Sequence, residues 1–488
     1  MNSRILFVLL SWALCLPAAA QVSRIELPDM GSSAANVISP GEERELVLQI
    51  VREMRRMGWL LDDPLIDEYL DSLGFRLVAH SERPGDTFAF YLVRERSINA
   101  FATPGGLVGV HAGLFLAAES EDEVAAVLGH EVAHVTQRHV ARRFESMQKV
   151  SIPLMLAMIG TMIAASKTSG DAVPATIATG MGLMQQQNIN FTRQNEYEAD
   201  RIGIQTLARA GYDPAAVATI FGRMARAYRG PGDVVPEYLR THPVTTTRIA
   251  EARSRAENLE GAFYVAPTAQ PLHPRLPATF GIRSAPEISA WLPEAEKGLR
   301  FRLMRERIRV LTVDFPQDAL RYYRELARSE IEDRRPAQYG EALALIAANR
   351  AAEARPLIAR LLADDADNVL YRLADADARL MLGDHQGADH LFVELGADFP
   401  GHRAITLAHA RALVHQGGAE AGRRAQELLR PLLAPESSPA LYVAFARASE
   451  LAGDEIRAGE AHAEAAFLGG QAEDALRLLE SLSKREDL

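Results

Sequence analysis

The chain has 488 residues, 48% of them hydrophobic, which is enough apolar material for two or three domains with real cores and excludes a disordered or fibrous protein. Its net charge of −11 is spread along the chain and argues against nucleic acid or an anionic membrane as the main partner. Cys15 is the single cysteine and falls in a stretch that export would remove, so disulfides, thiolate zinc sites and cysteine-peptidase chemistry are excluded for a mature chain.

The first 20 residues read as a secretory signal: Arg4, an apolar run from Ile5 to Leu16, then Pro17 and Ala18-Ala19-Ala20 before Gln21. The run is short for a membrane span. An extended arm follows (Leu27-Pro28-Asp29-Met30-Gly31), then a helix expected over Glu42 to about Met57. Asp63-Pro64 supplies an N-cap and a proline at N1 for a second helix, with Leu65, Ile66, Tyr69, Leu70 and Leu73 on one face. Phe88 to Val93 reads as a strand, and Asn99 to Val110, turning at Gly105-Gly106, as a hairpin. Ser120 and Glu123 form a capping-box pattern for a helix expected to run to about Val140.

Between Lys149 and Lys167 lies an apolar, methionine-rich stretch broken by Pro153 and Gly160. It reads as a buried helix or lid over a site, or as an adaptable surface for peripheral contact with a membrane or a non-native protein. A helix from about Gln194 to Arg209 stops at Gly211, Asp213-Pro214 starts another, and a His242-Pro243 loop leads into a helix containing Arg248. Pro267, Pro271, Pro274, Pro277 and Pro286 mark residues 261–290 as a linker, so residues 21–260 and 291–488 are expected to be separate domains. In the second, Asn349, Gly383, Gly417 and Gly453 fall 34, 34 and 36 residues apart at expected helix–helix turns, and Gly470 echoes them. That period is the tetratricopeptide length and predicts a solenoid of helix pairs, with an atypical first pair in residues 290–335.

Chemistry concentrates in His130-Glu131-Val132-Ala133-His134. Histidines four apart on a helix share a face and can grip one Zn²⁺, with Glu131 beside it as a base for a water that the zinc polarises. A third ligand must come from elsewhere. Asn195-Glu196-Tyr197-Glu198-Ala199-Asp200 offers carboxylates four apart, so Glu196 could complete a His₂Glu site while Asp200 holds a ligand histidine by its remaining N–H. Glu198 points off that face and is expected to be a solvated residue of an acidic helix start.

These motifs, together with His242-Pro243 and Arg248-Ile249, resemble the HtpX-like and CAAX-prenyl-protease-like zinc metallopeptidases. The signal and repeats resemble the exported members of that group, and the likeness covers nearly the whole chain after residue 20. It implies His130, His134 and Glu196 as ligands of one zinc, Glu131 as general base and acid, and Asp200 as support. His242 would approach the zinc from its loop, as a fourth ligand that blocks the open position or as a partner of the oxyanion; a structural histidine capping the next helix is the third possibility. Arg248 would pair with a carboxylate or meet the tetrahedral intermediate. The resemblance further implies misassembled outer-membrane proteins as substrates, a chaperone-like role, and recruitment to the outer-membrane β-barrel assembly machinery through the repeats, in the periplasm. The expected fold is mainly α (α+β), a zincin-like domain with a small sheet followed by the solenoid. The rival reading is a non-proteolytic chaperone or scaffold whose zinc is structural or latent.

Overall fold

The computed structural model describes residues 39–139, 193–227, 237–259, 297–434 and 437–484. The signal segment, the extended arm to Ile38, the methionine-rich stretch and the proline-rich linker lie outside them.

Helix α1 (Pro40–Arg56) is closed by a full capping box: Ser39 accepts from the backbone of Glu42, whose carboxylate returns to the backbone of Ser39. Asp63 caps α2 (Pro64–Ala79) by accepting from Ile66 N–H at 3.2 Å. Strands β1 (Ala89–Val93), β2 (Ala100–Ala102) and β3 (Leu107–His111) form a sheet of order β1-β3-β2. β3 runs parallel to β1 and antiparallel to β2, so β2 lies at an edge. The turn between β2 and β3 needs glycine at Gly106, where φ is +83° and a Cβ would come within 1.9 Å of the Thr87 carbonyl oxygen.

After the short α3 (Ala112–Ala117) comes the helix that carries the pentad, α4 (Glu121–Thr136). Ser120 caps it as the sequence suggests, but the Glu123 carboxylate reaches one residue further back, to the Glu119 N–H at 2.7 Å. α4 also ends earlier than the expected Val140: Gln137 caps it and Arg138 turns left-handed at φ +54°. His134 therefore sits in the last turn.

Helix α5 (Arg193–Arg209) crosses α4 where two glycines meet. A Cβ on Gly203 would lie 3.1 Å from the Gly129 carbonyl and the His130 nitrogen, so the backbones touch with no side chain between them. This contact lets residues on α4 and α5 converge on one point. Helices α6 (Ala216–Ala227), α7 (Glu237–Thr241) and α8 (Thr246–Leu259) complete the first half. The His242-Pro243 segment links the last two.

From α9 (Lys297–Leu311) to the last described helix (Ala472–Ser483) the chain is a succession of helix pairs. Asn349, Gly383, Gly417, Gly453 and Gly470 lie between helices with φ of +60° to +82°, the left-handed turn that glycine and asparagine tolerate. The two halves are not held apart. One hydrophobic core runs without a break from Leu61 through Phe221 and Tyr323 to Ala412. Arg300 on α9 reaches the buried Glu121 in the first turn of α4 at 3.1 Å, and Tyr69 donates to the same carboxylate at 2.7 Å. Arg307 grips the Asp63 cap with two hydrogen bonds of 2.9 and 2.7 Å. No described helix is long and apolar enough to cross a membrane.

Candidate metal centre

His130 and His134 leave the same face of α4, and Glu196 rises from the first turn of α5 to meet them. The two Nε2 atoms lie 3.0 Å apart, and the Glu196 carboxylate is 3.5 Å from His130 and 3.4 Å from His134. His242 arrives from the loop before α8, with Nδ1 3.1 Å from Glu196 and 3.4 Å from His130 Nε2. All four side chains are buried, and their donor atoms lie within 4.8 Å of one another. The individual separations of 3.0 to 3.5 Å are close to the roughly 3.3–3.6 Å expected between ligand atoms that each sit about 2.0–2.2 Å from a tetrahedral zinc. Three imidazoles and a carboxylate form a donor set that suits zinc and disfavours calcium or magnesium.

Around this cluster the charges are fixed by a second set of contacts. Asp200, one turn after Glu196, lies 3.0 Å from His130 Nδ1. Arg248 binds Asp200 through Nε and a terminal nitrogen at 2.7 Å each, Glu196 at 3.0 Å and the Pro243 carbonyl at 2.8 Å. Of the roles expected for Arg248, the pairing with carboxylates is the one it occupies. Tyr238 stacks on His242 at 4.8 Å between ring centres.

Proton affinities follow from this wiring. Burial opposes a charge on His130, but Asp200 and Glu196 overcome it and raise its pKa to about 9. Burial likewise opposes ionisation of Glu196, and His242 and His130 more than offset it, holding the carboxyl far below its ordinary range. His134 is pushed well below its usual value by burial and by the neighbouring His130 charge. The carboxylates thus demand a cation at this point, and metal binding must displace the His130 proton. Glu131 points to the other side of the cluster: it is 1% exposed, its Oε1 has no hydrogen-bond partner among the described residues, and it stands 3.6 Å from His242 Nε2. Burial lifts its pKa, which makes it a stronger proton acceptor.

Two residues stand where the sequence reading did not put them. Glu198, expected in solvent, keeps 35% of its side chain exposed but also lies 3.2 Å from His139 Nε2, and His139 Nδ1 is 3.1 Å from His134 Nδ1. His139 follows the left-handed Arg138 beyond the end of α4, so helical spacing from His134 could not reveal it.

A helix bearing two histidines and a glutamate, an acidic second helix and a small sheet with β2 at its edge among the described residues define a metallopeptidase fold. The chain belongs to peptidase family M48, whose description matches residues 64–256. It is 36% identical over 377 residues to the putative beta-barrel assembly-enhancing protease of Vibrio cholerae, covering 77% of this chain and 71% of that one. To the beta-barrel assembly-enhancing protease of Escherichia coli it is 35% identical over 71% of this chain and 64% of the relative. With the Yersinia pestis protein of the same name the identity is 30% over 462 residues, 95% of this chain and 88% of the other.

Proposed function

We propose that this metallopeptidase is a zinc-dependent endopeptidase of the periplasm that cleaves misassembled outer-membrane proteins and, with its repeats, assists their assembly. The observation that carries the proposal is the meeting of His130, His134, Glu196 and His242 within 4.8 Å, with the buried Glu131 carboxylate beside them, 3.6 Å from His242 Nε2. The names of the relatives support the class of substrate.

His130, His134 and Glu196 would hold the zinc, which supplies a Lewis acid and lowers the pKa of water. Glu131 takes the proton of the attacking water on its carboxylate and delivers it to the leaving amine. Asp200 orients His130 by its Nδ1 proton, and Arg248 keeps Asp200 and Glu196 ionised. The outer edge of β2, unpaired among the described residues and packed beside α4, supports an extended peptide held by its backbone, indifferent to sequence. A helical solenoid behind the peptidase half would recruit the β-barrel assembly machinery. Residues 1–20 are the proposed export signal.

The approach of His242 to Glu196 favours a second reading, a site held shut for chaperone work, with the imidazole in the fourth ligand position. Glu131→Gln separates the two. If the protein is a peptidase, the variant retains zinc and loses casein cleavage and self-cleavage by about 10²–10⁴-fold. Unchanged proteolysis would remove Glu131 from the mechanism.

A further inference from the structure

We propose that His139 is a positioning residue: relayed from Glu198, it fixes His134 in the tautomer that offers Nε2 to the metal. The inference deepens the reading above and rests on His134 being a ligand. Neutral imidazole carries one proton. If His134 gives Nε2 to zinc, that proton is on Nδ1, which lies 3.1 Å from His139 Nδ1. Two ring nitrogens at that distance need one donor and one acceptor, so His139 accepts there. Its own proton is then on Nε2, 3.2 Å from the Glu198 carboxylate. The chain Glu198–His139–His134 has a single consistent proton order, and it ends at the metal.

The second ligand histidine is held more directly, by Asp200 at 3.0 Å from His130 Nδ1. A carboxylate therefore stands behind each histidine, one in contact and one across an imidazole, as is usual for zinc ligands. The backbone departs from the ordinary to achieve this. Arg138 adopts φ +54°, a conformation unfavourable for a residue with a Cβ, and that turn brings His139 back against α4, where it is 1% exposed.

The test is zinc affinity of the full chain, measured by competition with a chromogenic chelator, together with the melting temperature of the metal-free protein. His139→Leu fills the space without an acceptor and is expected to weaken zinc binding about tenfold or more. His139→Asn puts an amide oxygen in the place of Nδ1 and is expected to restore affinity to within about threefold of the parent. Glu198→Gln is expected to weaken binding several-fold in the parent and not at all in His139→Leu, because the relay is already cut. Equal affinities for the Leu and Asn variants, or a Glu198→Gln effect that survives in His139→Leu, would overturn the proposal. Should metal-free His139→Leu lose its melting transition, Glu198→Gln in the parent and His139→Asn backgrounds decides: asparagine has no atom at the Nε2 position, so a loss of affinity in the parent that is absent in His139→Asn supports the relay, and any other pattern refutes it. His134→Ala keeps the two inferences apart, since parental affinity there would mean that His134 is not a ligand.

Discussion

Arg248→Met is the substitution that most directly probes how this centre is held. The guanidinium is 2% exposed, makes two 2.7 Å bonds to Asp200, one 3.0 Å contact to Glu196 and one 2.8 Å bond to the Pro243 carbonyl, and lies 5.1 Å over the Phe221 ring. Methionine keeps the apolar stem and removes every donor. Two carboxylates are then buried with only His130, His134 and His242 among the partners named above, and breaking a buried pair in this way costs about 3–5 kcal/mol. Arg248→Lys keeps the charge but cannot make the bidentate contact, so it should lose less, about 1–2 kcal/mol. The sign with pH is fixed: burial raises the Asp200 pKa, Arg248 and His130 more than reverse that, and the net pKa is depressed. The stability Asp200 contributes is thus present above its unfolded value and lost as pH falls through the folded one, and Arg248→Met should flatten that acid limb. Denaturant unfolding of the zinc-free protein at several pH values, with chelator competition for zinc, measures both effects. A Met variant within about 1 kcal/mol of the parent, with parental zinc affinity, would refute the account.

Three further outcomes are expected. His242→Ala should raise basal casein cleavage if the imidazole closes the site, whereas a fall of about tenfold or more would assign it to transition-state support. Glu237 is buried beside Ser97 and burial pushes its pKa up to about 7 from 4.5, so its contribution to stability is full below 4.5 and is lost as pH rises through about 7. Glu237→Gln should therefore stabilise the protein at pH 8 by about 1–2 kcal/mol once screening is allowed for, with no gain near pH 4.5; a constant difference across that range would sink the assignment. Gly203→Ala places a methyl 3.1 Å from the Gly129 backbone and should lower the melting temperature and weaken zinc binding several-fold, because α4 and α5 must part. Helix propensity alone would raise the melting temperature, so the direction of the shift decides.

What could be read from the sequence is what depends on neighbours along the chain. Asp63-Pro64 and Ser120 announced their helices because a cap is a local hydrogen bond, and the glycines at 383, 417 and 453 announced turns because φ above zero is a local demand. The pentad and the Glu196/Asp200 pair were legible for the same reason, since i,i+4 spacing fixes a shared face. The partners of those faces were not. Nothing in the spacing shows that Gly129 meets Gly203, or that Glu198, two residues from Glu196 and on another face, finds a histidine brought back by the turn after α4. The end of α4 was misjudged because apolar periodicity persists past Thr136 while the backbone follows its cap.

The proline-rich stretch invited a picture of two domains on a tether, and the packing argues for something tighter. Glu121 begins the helix that ends in His134, and its carboxylate is shared between Tyr69 of the peptidase half and Arg300 of the repeat half. Asp63 is shared in the same way, as cap of α2 and as partner of Arg307, and the Ala404 N–H donates to Glu68 at 3.2 Å. These are buried polar groups whose partners lie on the other half, so separating the halves would strand charges as well as expose core. The C-terminal helices therefore brace the start of α4 through Arg300 and the start of α2 through Arg307. Since α4 also carries His130 and His134, the C-terminal helices belong to the packing that holds those two side chains in place.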